Sequence, residues 1–157
     1  NLPDDFNNIK NMTIKNLRFL IRDGHTIGAH SKTHANLGNI ANEKKLKDEI
    51  IKSSKDLEKI LKIKIKHFAF TYGNYKSMSQ KSLEIAFKQY DYIYSSLRGS
   101  NYKNKKYEII KRDAVYLDLG NKLLEIFING IIDIKYFFQV MSINKIINKF
   151  LSKNKKI

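Results

Sequence analysis

Short apolar runs bounded by glycine, histidine or turn residues alternate along this chain with longer amphipathic stretches, and that alternation restricts the fold more than any other feature. Residues 26–29, 67–70 and 92–94 are strand-sized. Upstream of the first, Thr13 is placed to cap a helix carrying Ile14, Leu17, Leu20 and Ile21 at helical spacing, and Gly24 stands where a left-handed stop is needed. Between the first and second, residues 43–62 put Leu46, Ile50, Leu57 and Leu61 on one face of a long helix. After the second, Ser77 and Gln80 have capping-box spacing and open a helix whose core face is Leu83, Ala86 and Phe87. Residues 108–110 and 114–117 read as extended around Lys111-Arg112-Asp113, with Gly120 closing the region. Alternation of this size predicts an α/β fold with parallel strands.

The 157 residues, 42% of them hydrophobic, suit a single domain with a sizeable core. The absence of cysteine removes disulfides, thiolate metal sites and cysteine nucleophiles, which leaves histidine and carboxylate chemistry. The formal charge of +15 has two readings. One is an attraction to anionic partners; the other is lysine enrichment from drift in an AT-rich genome. Arginine, which nucleic-acid surfaces favour for bidentate contacts, occurs only at Arg18, Arg22, Arg98 and Arg112, and no recognition signature for nucleic acid accompanies it, so none is expected as a partner. The segment 98–106 reads as a solvated lysine-rich loop, the alternative being a rim for an anionic substrate. Residues 123–140 are apolar, but Glu125, Asp133 and Lys135 interrupt them before the ~20 clean residues of a membrane span, so a core helix or helical pair is expected there. The tail, with Ile143, Ile146, Ile147, Phe150 and Leu151 among lysines, reads as a basic amphipathic helix that packs on its own domain or lies on an anionic membrane surface. The chain divides on this reading into a domain at 1–142 and a terminal helix at 143–157.

The chemistry concentrates in residues 24–37. His30 and His34, four residues apart just beyond an apolar segment, could hold a divalent metal between two imidazoles if the loop turns back on itself; a third protein ligand and an open position would still be required.

The run Gly24-His25-x-Ile27-Gly28-x-His30-Ser31-x-x-His34-x-x-Leu37 resembles the second motif of the polysaccharide deacetylase family, the NodB-like carbohydrate esterases. Phe68-Ala69-Phe70-Thr71-Tyr72-Gly73 resembles the third motif, with Thr71 where proline is usual and Ala69 where many members have arginine. The resemblance implies a distorted (β/α) barrel, present here in part, with its site at the carboxyl ends of the strands. It implies that His30 and His34 bind the metal, that His25 is a loop residue rather than a ligand, and that the backbone amide of Tyr72 belongs to an oxyanion hole. The segment from Glu108 to Arg112 is similar to one in which the family carries an arginine. Arg112 is therefore a candidate for orienting a catalytic carboxylate, the alternative being a surface salt bridge. Zinc is the first choice of ion, and cobalt, nickel or iron suit the same donors. The implied substrate is an N- or O-acetylated polysaccharide, and the implied setting is the cell envelope or the cytoplasmic face of the membrane.

One family element is missing from the pattern. Members carry an early strand ending in Phe-Asp-Asp-Gly, which supplies the general base and the third metal ligand. Asp4 and Asp5 do not match it: no apolar strand precedes them, no glycine follows, and His30 comes too soon after. The early strands are expected upstream of Asn1, the chain then covering roughly the later half to two-thirds of the family domain. The family's late general-acid histidine also has no counterpart, since only His25 and His67 remain. The isolated chain is accordingly expected to be an incomplete, inactive deacetylase. Two alternatives stay open: an inactive metal- or carbohydrate-binding relic of the fold, and a basic binder of nucleic acid or anionic membrane.

Overall fold

The computed structural model describes residues 11–101, 108–114 and 120–154; Asp4, Asp5 and the extended stretch expected after Ala114 lie outside them. Strands β1 (His67–Ala69), β2 (Tyr92–Tyr94) and β3 (Ile109–Ile110) form a parallel sheet in sequence order. His67 stands opposite Tyr92, and Ile93 opposite Ile109. The strand expected at residues 26–29 contracts to one parallel bridge between Ala29 and Phe68. Its two hydrogen bonds, from Ala29 N to His67 O at 2.8 Å and from Ala69 N to Ala29 O at 2.9 Å, add a fourth rung beyond β1. Successive parallel elements in unbroken order form a stretch of barrel wall, whereas a doubly wound sheet reverses its order. The α/β architecture is as the alternation predicts. Phe68, Ile93 and Ile109 point into the core, while His67, Ala69, Tyr92 and Tyr94 occupy the other face.

Helix α1 (Ile14–Arg22) begins at Thr13, whose hydroxyl accepts from Asn16 N while the Asn16 side chain accepts from Thr13 N; Gly24 follows at φ +88°. The helix predicted over 43–62 forms with a defect. It runs as α2 (Glu43–Lys47), a π-helical stretch (Asp48–Lys52) and α3 (Ser53–Leu61). In the wider turn the Ile50 carbonyl takes hydrogen bonds from the hydroxyls of Ser53 and Tyr90, which keep a buried acceptor satisfied. Leu46, Ile50 and Leu61 are buried as their spacing predicts. Helix α4 (Gln80–Gln89) is capped by Ser79 rather than Ser77: the Ser79 hydroxyl accepts from Ser82 N, and Ser77 belongs to a 3-10 turn (Tyr75–Ser77) with its own hydroxyl bonded to Asn74 O. The Ser77 hydroxyl is consumed by that turn and is not free to cap the helix.

The largest departure lies in residues 121–154. They form α5 (Asn121–Ile128), a 3-10 segment (Ile131–Tyr136) and α6 (Phe137–Asn154). The segment 123–140, expected as core, has no buried residue in α5 or the 3-10 stretch, and Ile128, Ile134 and Phe138 are 76%, 77% and 77% exposed. Burial is supplied instead by the second half of α6, where Ile143, Ile147 and Phe150 join the core and Phe150 stacks on Phe87 with ring centres 5.8 Å apart. Residue 142, where the domain boundary was drawn, falls inside this helix. No single helix among the described residues is long and apolar enough to cross a membrane.

Arg98, read as part of a solvated loop, is buried. Its Nε lies 3.1 Å from Asp113 Oδ1 and 3.8 Å from Asp133 Oδ1, and the guanidinium sits 3.7 Å over the Phe127 ring. One enclosed cation thus fastens the α5 region to the chain just after β3.

Candidate metal centre

The carboxyl ends of the four parallel elements converge on one edge. His30 follows Ala29, Thr71-Tyr72-Gly73 come just beyond β1, Ser95 and Ser96 follow β2, and Lys111-Arg112 follow β3. On this edge the His30 and His34 rings are 5.0 Å apart at 69°, and the Tyr72 ring stands 5.3 Å from His34.

A metal requires its ligands to be deprotonated at the donor nitrogen and close enough to share one ion. The His30 Nδ1 lies 2.9 Å from the Ala69 carbonyl, an acceptor only, so Nδ1 carries the hydrogen and Nε2 keeps its lone pair. With Zn–N near 2.1 Å, two imidazoles at a tetrahedral angle have ring centres about 5 Å apart, which is the separation here. The separation of the two rings is thus the one that adjacent positions on an ion require. Among the described residues no third histidine, cysteine or carboxylate joins them.

The loop that presents the pair is held by a carboxylate that periodicity did not single out. Glu49, 4% exposed in the π-helical stretch, accepts from Lys32 N at 3.0 Å and Thr33 N at 2.9 Å through Oε2, and from the Thr33 hydroxyl at 2.7 Å through Oε1. Burial pushes its pKa up, but the Thr33 hydroxyl and the Thr33 and Lys32 amides outweigh that and leave it below the usual carboxylate value. These bonds clamp the residues between two that adopt left-handed backbone, Ser31 and His34, both at φ 59°. A polar residue on a lysine-rich helix gives no periodic signal; only a loop with unpaired amides nearby could have pointed to it.

The second loop is tied to the first. Thr71, which replaces the usual proline, is fully buried, and its hydroxyl donates to Ser31 Oγ at 3.1 Å. Tyr72 at φ 61° and Gly73 at φ 60° then turn the chain sharply. Gly73 is required: a Cβ there would lie 2.5 Å from both Ser96 N and Ser96 Oγ, while Gly73 O accepts from Ser96 N at 2.8 Å. The Tyr72 amide donates to no acceptor among the described residues.

Arg112 donates through Nε to Ser95 O at 3.0 Å, lies over the Tyr94 ring at 5.4 Å, and has no carboxylate partner among the described residues. It borders an open cleft of about 380 Å³ together with His30, His67 and Tyr94. His67 is engaged within that wall. It stacks on Tyr92 with ring centres 4.5 Å apart, and its Nδ1 is 2.9 Å from the Tyr94 hydroxyl. Burial lowers its pKa, with Asp91 opposing and Lys66 assisting. His25 stays outside the cluster, exposed and 3.5 Å from Asp23.

Comparison with known proteins identifies the family and the fold. The model of the polysaccharide deacetylase family matches residues 7–90, more than half of the chain. No curated protein sequence matches. Among solved structures, the chain resembles a polysaccharide deacetylase from Bacillus cereus with TM-score 0.61 and 18% identity over 80% of this chain and 39% of that one. It resembles the Streptococcus pyogenes deacetylase PplD, determined in complex with acetate, with TM-score 0.63 and 18% identity over 78% of this chain and 53% of that one. The chain therefore spans well under two thirds of the length of these structures and shares their fold over that span. With both histidine and tyrosine loops inside the matched region, this chain belongs to the polysaccharide deacetylase family.

Proposed function

We propose that this chain carries the histidine half of a metal-dependent site that hydrolyses acetyl groups from N- or O-acetylated sugars of a polysaccharide. The observation that carries the reading is the paired imidazoles, 5.0 Å apart, with the His30 tautomer set by the Ala69 carbonyl. His30 and His34 would hold the ion, zinc by preference and cobalt, nickel or iron as substitutes. Such an ion supplies Lewis-acid polarisation of an acyl carbonyl and a lowered pKa for water.

The remaining roles belong to the chain's own groups. Glu49 holds the loop between the two histidines through the Lys32 and Thr33 amides. The Tyr72 amide, unpaired among the described residues, is available to donate to the acyl oxygen as it gains negative charge at the tetrahedral stage. Arg112, anchored to the Ser95 carbonyl, offers its remaining donors at the cleft to a carboxylate serving as base. Water adds to the acyl carbon, the bond to the sugar nitrogen or oxygen breaks, and a proton goes to that atom, giving acetate and the deacetylated sugar. No described acidic residue is placed as base or third ligand.

A second reading is a metal- or glycan-binding relic of the fold, in which the histidine pair binds without hydrolysis. Zinc titration calorimetry paired with acetate release from an N-acetylated oligosaccharide separates them. Saturable zinc binding that weakens at least tenfold in His30→Ala and in His34→Ala supports the metal site. Acetate release that depends on both histidines supports the hydrolase, and zinc binding without release supports the relic. Zinc binding indifferent to both substitutions contradicts the metal site in either reading.

A further inference from the structure

The exposed apolar side chains of residues 121–154 are not scattered. Ile128, Ile131, Ile134, Phe137, Phe138 and Met141 lie within one run that joins α5 to α6, and each is more than half exposed. Together they form a contiguous apolar tip, of a kind that soluble monomers rarely leave open to water.

The arrangement of charge around the tip identifies what it fits. At 100° per residue, Phe138, Met141, Lys145 and Lys149 share the outward face of α6, opposite the buried Ile143, Ile147 and Phe150. Along that face the helix is apolar first and basic afterwards: Lys145 and Lys149 stand about 10 and 16 Å beyond Phe138. Lys122 and Lys135 are exposed in the same region. Of its two acids, Asp133 faces Arg98 inside the fold, which leaves Glu125 as the acid exposed to solvent. Asn121–Ile128 and Ile131–Ser152 are together apolar and long enough to enter a bilayer but are bent by 58° between them, so they make a wedge rather than a rod.

We propose that this tip seats in the surface of an anionic membrane, with Ile134, Phe137, Phe138 and Met141 among the upper acyl chains and Lys145 and Lys149 at the headgroups. An apolar face enters about 5–10 Å below the headgroups of a bilayer, a depth that the distance from Phe138 to Lys145 matches. Anionic lipid contributes about 1 kcal/mol for each nearby lysine, and this sets the sign of the partner. The buried Arg98, between Asp113 and Asp133, fastens the tip next to Arg112 and so joins the membrane-seated end to the edge that carries the candidate site. The tail's own apolar residues pack on the domain, the first of the two readings of that helix: Ile143, Ile147 and Phe150 are spent on the core.

The chain contains no tryptophan, so Phe138→Trp places a single reporter on the tip. The experiment is co-sedimentation and emission of the full chain with vesicles of phosphatidylcholine containing about one-third phosphatidylglycerol, against phosphatidylcholine alone. The proposal expects sedimentation with the mixed vesicles, a blue shift of the Phe138→Trp reporter on binding, and an affinity at least tenfold lower both on neutral vesicles and for the double variant Ile134→Ser, Phe138→Ser. A Tyr75→Trp reporter beside the site should keep its emission. Because Ile134 and Phe138 are exposed, the double variant should retain its circular dichroism and melting temperature. Three results would overturn the proposal: no sedimentation with either vesicle, sedimentation unchanged in the double variant, or a reporter already blue-shifted without vesicles in a species of twice the chain's mass, which would mean that a second copy covers the tip.

Discussion

Around His30 and His34 a carboxylate is buried and accepts three hydrogen bonds, whereas in the first half of residues 121–154 phenyl and aliphatic side chains stand in water. Each arrangement inverts the usual partition of side chains. The interior carboxylate of Glu49 is tolerable because the Lys32 and Thr33 donors satisfy it, and in return it holds a loop whose residues at φ 59° have little intrinsic preference for that shape. The exposed Phe138 meets the Phe137 ring edge-on, with ring centres 5.7 Å apart, and leaves most of its own surface in water. The first region concentrates its folding energy on geometry, and the second leaves apolar area unspent.

The comparison is sharpest within α6 itself. Phe150→Ala should destabilise the fold by about 4 kcal/mol in denaturant unfolding, because it removes a ring stacked on Phe87 in the core. Phe138→Ser, three turns earlier on the outward face, should change stability by no more than about 0.5 kcal/mol. Equal costs would mean that the tip is packed in solution, and the contrast between the two regions would fail.

In the histidine region Glu49→Ala should cost about 3 kcal/mol and also weaken zinc binding, since the Lys32 and Thr33 donors lose their acceptor. Glu49→Gln, which keeps one acceptor oxygen, should lose less of both. Gly73→Ala should cost about 2 kcal/mol, from left-handed backbone and a Cβ against Ser96, and should weaken zinc binding less than Glu49→Ala does, because this turn reaches the histidine loop only through the Tyr72 ring and the hydrogen bond from Thr71 to Ser31.

Acid provides the smallest and most graded test. A His67 pKa lowered by burial means that the unfolded chain takes a proton before the folded one, so stability should begin to fall as pH drops below about 6.5. Glu49 acts in a lower window. Its folded pKa lies below the unfolded value of 4.5, so its contribution is complete above 4.5 and is lost as pH falls through the folded value. A melting temperature that follows pH in these two steps, with the upper step absent in His67→Gln and the lower reduced in Glu49→Gln, Glu43 and Glu58 supplying the rest through their own lowered pKa values, checks both.

Much of this molecule was legible in its residues. The alternation predicted the parallel α/β fold, Thr13 and Gly24 marked α1, and the histidine and tyrosine runs fell on the matched region of the family. What escaped has physical causes. A helical wheel places Glu49 among lysines but cannot register that a π-helical turn and a loop with free amides make its burial favourable. Arg98 looked solvated because its partners, Asp113 and Asp133, are distant in sequence. Residues 123–140 looked like core because an apolar residue is a weak indicator of burial, a large share of any folded surface being apolar. The cap at Ser79 was missed by two residues, the ordinary uncertainty of a helix end.

The most direct test of the paired-imidazole site is a two-dimensional correlation of imidazole hydrogens with nitrogen-15 during titration with zinc, which resolves all four histidines of the chain. The account predicts that the His30 and His34 resonances move together, that His30 retains its hydrogen on Nδ1 and binds through Nε2, and that His25 and His67 stay in place. Movement of His25 alone, equal movement of all four, or no movement of the His30 and His34 pair at saturating zinc would contradict it.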